Sequence, residues 1–177
     1  MGFLVDPDSA VVWRGPMVMS AIQKLLRQVV WGRLDYLIID MPPGTGDTQL
    51  TISQQIPISG AVIVTTPQKI AIIDAKKGVV MFQKVDVKIL GIVQNMAFHE
   101  CSNCSTRNYL FSNDGARKLA NDIGVEVLGD VPLDERIMTC ADNGSPFVVQ
   151  HSDALAAKLY LEVARKVIER LPPPFPL

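Results

Sequence analysis

The chain has 177 residues, of which 48% are hydrophobic and 20% are charged, so it can bury one sizeable core. We predict a single domain over 1–170 and a proline-rich tail over 171–177. Its 17 basic and 18 acidic residues leave a net charge of -1, which favours neither nucleic acid nor an anionic membrane as a partner. No apolar run reaches the roughly 18 residues of a transmembrane segment, and the N-terminus predicts no secretory signal. The three cysteines fit a reducing compartment better than a secreted disulfide framework.

The apolar pattern alternates between strand-like and helix-like segments. In chain order it predicts a helix over 17–30, a strand over 34–40, a strand over 60–66, a helix over 67–85, a strand over 87–96, a polar loop over 99–113, a helix over 113–124, a strand over 126–132 and a helix over 152–170. Asn113 or Asp114 is the predicted cap of the third helix, and Gly124 its predicted end. Continuously apolar strands are typical of a parallel sheet buried between helices. We therefore predict an α/β fold, a doubly wound and mostly parallel sheet flanked by helices.

An aspartate closes the predicted strand 34–40 and opens the motif DMPPGTGD. In open parallel sheets, ligands bind beyond the carboxyl ends of the strands, so we expect Asp40 to hold the water shell of Mg²⁺. Gly44 and its neighbours would let the backbone approach a γ-phosphate and move when it leaves. Asp47 would orient an attacking water or report the phosphate state to a partner. The alternative is that Asp40 caps the next turn and that Pro-Pro-Gly only ends the strand.

A C-x-x-C motif lies in the predicted polar loop. Cys101 and Cys104 can hold one soft metal ion or one edge of a cluster, but a tetrahedral site or a cubane needs four ligands. One chain therefore provides half a site, and a symmetric dimer would provide the rest. A thioredoxin-type redox pair is an alternative, but such pairs begin a helix, whereas SNCSTRN is turn-like and polar. A structural or incidental pair is the third alternative.

Three further residues could bind a metal. Cys140 stands apart from the motif, and we expect it to be a small buried apolar side chain rather than a ligand. His99 precedes the motif and could be a ligand, but we expect a histidine that faces solvent in the loop. His151 is near a helix start, and we expect a structural role.

Several motifs together resemble one family. VWRGPMVMSAIQKLL, DMPPGTGDTQL, GAVIVTTPQKIAIIDAKKGVVMF and QNMAFHECSNC are similar to the Mrp-type branch of the MinD/nitrogenase-iron-protein-like P-loop ATPases, which are iron–sulfur cluster carriers. The resemblance is nearly continuous from residue 2 to about residue 146. Within this branch, QNMAFHECSNC, LGDVPL and the terminal RLPPP most resemble the mitochondrial nucleotide-binding-protein-like factors that assemble respiratory complex I.

The resemblance implies a role for each matching residue. Asp40 matches the Walker B aspartate and Asp47 matches the switch aspartate. The resemblance therefore implies Mg-ATP as the ligand of the full-length protein. Asn95 matches the asparagine that reads the adenine edge, and an amide offers the donor and acceptor that a purine needs. Pro132 matches the backbone that flanks the same base.

The resemblance also implies a cargo, partners and a compartment. Cys101 and Cys104 match the C-x-x-C through which two subunits of a homodimer share one 4Fe-4S cluster. The implied recipients are apo iron–sulfur proteins, and no nucleic acid is implied. The implied compartment is the mitochondrial matrix, with the cytoplasm as the alternative, and any targeting segment would lie upstream of Met1. Trp13 and Arg14 would contact the partner or the nucleotide.

Two departures from the family pattern qualify these expectations. Ser105 replaces a small glycine-like residue and Ser102 a common proline, which predicts a less preorganised loop and a more labile cluster. The chain contains no Gly-Lys dipeptide and hence no G-x-x-x-x-G-K-[ST] phosphate loop. We expect the family's first strand, phosphate loop and first helix to precede Met1, and we expect weak or no ATP binding by this chain alone. The alternative function is a non-catalytic module for holding metal or for dimerisation.

Overall fold

The computed structural model describes residues 15–42, 44, 46–112 and 114–172. The chain divides into two compact units, Met1–Ile56 and Pro57–Leu177. Trp13, Arg14 and Asn113 lie outside the described residues, so the roles expected of them stay predictions. The single domain over 1–170 also stays a prediction. None of the helices in the described ranges is long and apolar enough to cross a bilayer.

The first unit contains the helices α1 (Gly15–Arg27) and α2 (Asp47–Gln55). Helix α1 confirms the predicted helix and begins with Pro16 in its first turn, where the missing N–H of proline costs no hydrogen bond. It ends with Lys24 and Arg27 in its last turn, where cations interact favourably with the helix dipole. None of the α1 residues, all of which the structure describes, is buried. Helix α2 is absent from the sequence-based prediction.

The predicted strand over 34–40 is wrong. These residues are described, but they form no strand, and Ile38 is 86% exposed. A strand is held by hydrogen bonds to a neighbouring strand, and no strand among the described residues pairs with this segment. The apolar run alone therefore does not produce a strand here, and Asp40 stands in exposed, irregular backbone.

The second unit carries the sheet. In chain order it contains β1 (Ala61–Thr65), α3 (Lys69–Lys84), β2 (Ile89–Gln94), β3 (His99–Glu100), β4 (Arg107–Asn108), α4 (Gly115–Ile123), β5 (Val127–Asp130), α5 (Glu135–Asp142), α6 (Phe147–Gln150) and α7 (Leu155–Arg170). Strands β1, β2 and β5 pair in parallel in the order β1-β2-β5. Helices α3 and α4 connect them and pack on them, and α7 packs on β5 and β2. The predicted strands over 60–66, 87–96 and 126–132 and the helices over 67–85, 113–124 and 152–170 are thereby confirmed.

The core forms where α7 meets the sheet. Val93, Leu128 and Val131 are buried together, and Tyr160 and Val163 of α7 pack against them. Full burial of such side chains contributes about 1.5–3 kcal/mol each. Strands β2 and β5 also approach closely at Gly91, where a Cβ atom would lie 2.8 Å from the Glu126 carbonyl oxygen and 2.6 Å from Leu128 Cγ. This close approach requires glycine.

The structure adds local detail to the predicted loop, to the ends of α4 and to the surroundings of Cys140 and His151. The predicted polar loop contains the antiparallel hairpin of β3 and β4. Gly124 ends α4 with φ of +72°, as predicted, but Asp114 makes no side-chain capping bond. Cys140 is buried in α5 against Phe147, which confirms the expected apolar role. The His151 ring packs on Phe147 at a centroid distance of 5.2 Å.

Candidate functional site

Asn95 lies at the carboxyl edge of the sheet, directly after β2. Its N–H donates to the Thr65 carbonyl oxygen at the end of β1, with a distance of 2.7 Å. Its side-chain Oδ1 accepts from the Met96 N–H at 2.9 Å, so one acceptor position of the amide is used locally. Met96 has φ of +52°, an uncommon conformation for a side chain other than glycine, of a kind that clusters at binding sites.

Pro132 lies beside this turn. The segments that follow β2 and β5 run next to each other, because the Val131 N–H donates to the Gln94 carbonyl oxygen at 2.8 Å and the Ala97 N–H donates to the Val131 carbonyl oxygen at 2.9 Å. Pro132 is buried at this junction, whereas Asn95 is half-buried. The fold thus brings together the two residues expected to flank an adenine base.

A buried polar network supports the same edge of the sheet. The Gln94 side chain is 1% exposed, donates from Nε2 to Asp130 Oδ1 at 3.0 Å and accepts at Oε1 from the Ala116 N–H at 3.2 Å. Asp130 pairs with Arg117 of α4 at 2.5 Å and raises the pKa of that guanidinium above its ordinary value. Sequence reasoning missed these residues. The available signal was the polar residue that ends each of two apolar strands, Gln94 in β2 and Asp130 in β5.

Cys101 and Cys104 lie in the turn of the β3–β4 hairpin. The strands pair antiparallel, with Glu100 opposite Arg107. Cys101 follows β3 directly, and its N–H donates to the Thr106 carbonyl oxygen at 3.0 Å. Cys101 is half-buried and Cys104 is exposed, so both thiols remain near the surface in one turn.

The base of the hairpin is anchored in the core. Phe98 is buried, and its carbonyl oxygen accepts from the Leu133 N–H at 2.7 Å. The Arg107 guanidinium lies 4.5 Å from the centroid of the Phe98 ring and pairs with Glu100 at 3.4 Å. Tyr109 adds a tilted ring contact to Phe98. A turn anchored in this way holds its two cysteines in one place relative to the sheet.

Hydrogen bonds favour the thiolate form of Cys104. Its Sγ lies 3.2 Å from Thr106 Oγ1. The Thr106 hydroxyl first, then the Thr106 backbone and the Cys101 side chain, hold the pKa of the Cys104 thiol below its ordinary value. Because the thiolate is the form that binds metals, this environment suits a ligand.

The hairpin offers two soft ligands for a metal ion or a cluster, Cys101 and Cys104. Among the described residues, no group of three or more His, Cys, Asp and Glu side chains is close enough to hold a metal ion. His99 is exposed on β3, so it does not complete a set with Cys101 and Cys104. Two soft ligands at the surface fit half of a four-ligand site and leave the other half to a second molecule.

The turn shows what one departure from the family pattern, Ser105, does to the backbone. Ser105 has φ of +56°, in the left-handed region that favours glycine. The glycine-like residue expected at this position would adopt that conformation without strain, so the serine stores strain next to Cys104.

The residues expected to bind Mg²⁺, to approach the γ-phosphate and to act as the switch belong to the first unit. Asp40 is exposed in irregular backbone, and Gly44 has φ of +92°, which suits glycine. Asp47 is the first residue of α2, and its side chain lies outside what the structure describes. Thr45 also lies outside the described residues. The Mg²⁺ and switch roles of Asp40, Gly44 and Asp47 stay predictions.

Comparison with known sequences identifies relatives over nearly the whole chain. A family model described as ParA, NUBPL iron-transfer P-loop NTPase, matches residues 1–168. The iron-sulfur cluster transfer protein NUBPL of Mus musculus is 57% identical over 97% of this chain and 54% of its own length. The iron-sulfur protein required for NADH dehydrogenase, mitochondrial, of Arabidopsis thaliana is 47% identical over 97% of this chain and 55% of its own length. The chain therefore spans about half the length of the curated relatives it matches.

Solved structures agree on the fold. A nucleotide-binding protein from Archaeoglobus fulgidus, solved with ADP, is 41% identical, with a TM-score of 0.65 over 72% of this chain and 53% of that chain. The cell division ATPase MinD of Pyrococcus furiosus is 22% identical, with a TM-score of 0.62 over 90% of this chain and 63% of that chain. The fold is that of the MinD-like P-loop NTPases, an open and mostly parallel sheet flanked by helices.

Proposed function

The chain belongs to the ParA family of P-loop NTPases, in its NUBPL iron-transfer branch, and on this premise we propose that it is part of an ATP-dependent iron–sulfur cluster carrier. The carrier delivers 4Fe-4S clusters to apo-proteins. In this proposal Asp40 holds Mg²⁺, Asp47 acts as the switch, Asn95 and Pro132 bind adenine, and Cys101 with Cys104 hold the cargo.

The hairpin of Cys101 and Cys104 is the observation that carries the proposal. Its two thiols are near the surface, one of them has a lowered pKa, and the described residues offer no third ligand beside them. A cluster on two surface thiols per chain needs a second copy of the chain for its remaining ligands. Cargo held between two copies becomes accessible when the copies move apart, as a delivery protein requires.

A short segment, residues 95–101, connects the proposed adenine site to the cysteines that would hold the cluster. The chain runs from Asn95 to Cys101 without a helix, and it is hydrogen-bonded to the segment after β5 through Ala97 and Phe98. A change in backbone position at Asn95 would therefore be transmitted to the hairpin through a few peptide units. This continuity supports nucleotide-gated transfer.

The names of two relatives support a proposal for the recipients and the compartment. One relative is named as an iron-sulfur cluster transfer protein and another as required for mitochondrial NADH dehydrogenase. We propose apo iron–sulfur proteins of respiratory complex I assembly as recipients and the mitochondrial matrix as the compartment, with the cytoplasm as the alternative. Neither nucleic acid nor a bilayer is part of the proposal.

Anaerobic reconstitution with iron and sulfide tests the cargo. The wild-type chain and the double variant Cys101→Ser plus Cys104→Ser are incubated in parallel, and iron, sulfide and mass in solution are measured. We expect about four irons and four sulfides per dimer for the wild type and none for the double variant. Cys140→Ser is the matched control, because Cys140 is buried in α5 and should leave the iron content unchanged.

One result would contradict the assignment of the cluster to Cys101 and Cys104, and another would contradict the carrier function itself. Iron content that persists in the double variant would place the cluster elsewhere. One zinc per dimer without iron would leave a protein that holds metal but carries no cluster.

The exposed, irregular backbone around Asp40 favours a second candidate function for the chain on its own. The residues before Asp40 form no strand, so Asp40 does not close a strand as the Walker B aspartate of the resemblance would. The second candidate is a module that holds metal or dimerises without hydrolysing ATP. Hydrolysis of Mg-ATP by the isolated chain at a rate that falls in Asp40→Asn would exclude it.

A further inference from the structure

Thr106 contacts both cysteines of the hairpin. Its carbonyl oxygen accepts from the Cys101 N–H at 3.0 Å, and its hydroxyl lies 3.2 Å from Cys104 Sγ. Thr106 precedes β4, whose Arg107 is anchored over the Phe98 ring. A residue tied to both thiol-bearing residues and to an anchored strand is suited to fix the position of one thiol relative to the other.

The backbone of the turn makes this double contact possible. The Ser105 N–H donates to the Cys101 carbonyl oxygen at 2.8 Å, which closes the turn over the two cysteines. Ser105 then takes φ of +56° and reverses the chain, so that Thr106 returns beside Cys101. The strained residue and the hydroxyl contact are therefore parts of one arrangement.

We propose that Thr106 is a positioning residue for the cargo. Its hydroxyl oxygen accepts from the Cys104 thiol in the free chain, and the hydroxyl donates to the Cys104 thiolate once that sulfur binds metal, which holds the sulfur in its metal-binding orientation. This inference rests on the proposed carrier function and extends it to the strength with which the cargo is held. Partners in the outer shell of a metal site orient the ligands, and their loss typically weakens metal binding about 10–100-fold. Thr106 is exposed, so water competes for the same sulfur and the lower end of that range applies.

The Thr106 hydroxyl can form this hydrogen bond both with and without metal bound to Cys104. A threonine hydroxyl rotates and can donate to a sulfur while its own oxygen still accepts from water. A thiolate that binds metal retains lone pairs, so it can accept this bond while it holds the cargo. The thiol proton is released to solvent when the metal binds, and the hydroxyl then becomes the donor of the hydrogen bond; no electron is transferred.

Co²⁺ binding to the full chain under anaerobic conditions provides the first test. Co²⁺ is the probe because its thiolate charge-transfer absorption reports sulfur ligation directly. The variants are Thr106→Val, which keeps the shape and removes the hydroxyl, and Thr106→Ser, which keeps the hydroxyl. Thr139→Val is the matched control, since it removes an exposed threonine hydroxyl that bonds only within α5.

We expect Thr106→Val to weaken Co²⁺ binding about 10-fold, while Thr106→Ser and Thr139→Val stay within about twofold of the wild type. The second readout is the rate at which the reconstituted cluster is lost to a chelator, which should rise by a similar factor in Thr106→Val alone. Equal Kd values for Thr106→Val and the wild type would overturn the inference. So would equal weakening in Thr106→Ser and Thr106→Val, because the effect would then be one of shape.

The two proposals fail separately. A wild-type chain that loads no cluster would contradict the carrier function, while the Co²⁺ comparison would still test Thr106. A wild-type chain that loads a cluster at Cys101 and Cys104, with Thr106→Val indistinguishable from it, would contradict only the positioning role. Thermal unfolding of each variant, followed by circular dichroism, checks that the hairpin substitution leaves the fold intact.

Discussion

Residues 34–40 and residues 61–65 are both predominantly apolar, yet only the second segment forms a strand. Strand β1 pairs in parallel along its length with β2 and buries alternate side chains. In residues 34–40, Ile38 is 86% exposed and no described strand is a neighbour. The difference teaches that an apolar run supplies the tendency to be buried, whereas the partner supplies the hydrogen bonds that make a strand.

Truncation of one isoleucine in the sheet and of one in residues 34–40 should separate the two regions most clearly. Ile92 is fully buried in β2, so Ile92→Ala should lower the free energy of unfolding by about 2–5 kcal/mol. Ile38→Ala removes the same atoms from an exposed site and should change the free energy of unfolding by less than about 0.5 kcal/mol. Urea unfolding followed by circular dichroism measures both. A large loss in Ile38→Ala would mean that residues 34–40 are packed after all.

The close approach of β2 and β5 offers a second test of the paired region. A Cβ atom in Gly91→Ala would meet the Glu126 carbonyl oxygen and Leu128, so we expect overpacking to cost about 1–3 kcal/mol. Gly78→Ala, in α3 with no atom within 4 Å of the added carbon, should instead stabilise by about 0.5–1 kcal/mol. The same urea experiment measures the difference, and a neutral Gly91→Ala would show that the sheet adjusts freely.

Loss of the buried network at the carboxyl edge should lower the free energy of unfolding by an amount similar to that expected for Gly91→Ala. Gln94→Leu keeps an apolar stem but leaves the Ala116 N–H and one Asp130 oxygen without this partner. Leaving buried polar groups unpaired costs about 1–3 kcal/mol. Gln83→Leu, at an exposed position of α3, is the control and should be nearly neutral. If the two variants unfold at the same urea concentration, the network does not stabilise the sheet.

The smallest effect is expected at α5, and it depends on pH. Asp134 caps this helix by accepting from the Arg136 N–H at 2.9 Å, and the Arg136 side chain holds the pKa of Asp134 below its ordinary value. A lowered pKa in the folded state stabilises the fold above the unfolded pKa of about 3.9, and this stabilisation is lost as the pH falls through the folded pKa.

Asp134→Ala should therefore cost about 1 kcal/mol at pH 7 and less at pH 2, measured by urea unfolding at both values. Asp134→Asn is the control, because asparagine also caps helices but does not titrate, so the difference in free energy of unfolding between Asp134→Asn and Asp134→Ala should be the same at both pH values. A cost for Asp134→Ala that is the same at both pH values would contradict the role of the ionised carboxylate.

The candidate site could be predicted where chemistry is local. Cys101 and Cys104 are three residues apart, so a turn places them together, and Cys140, which stands apart from the motif, was expected to be buried and is. Asn95 and Pro132 were expected near one base by resemblance, and the sheet does bring them together. Gln94, Asp130 and Thr106 were missed because each acts through a partner that only the folded chain supplies.

The succession of β1, α3, β2, α4, β5 and α7 along the chain, the parallel sheet and the C-x-x-C pair were predicted from the sequence alone, since they depend on apolar periodicity and on short spacings. Two features were decided by the tertiary structure. Residues 34–40 form no strand because strand formation depends on a neighbour, which composition does not reveal. The hairpin that carries the cysteines is held against the sheet by Phe98, which is buried beside the segment after β5 and on which Arg107 packs. Contacts between residues distant in the chain or across a turn depend on the complete fold, and this is the physical reason that local patterns could not predict them.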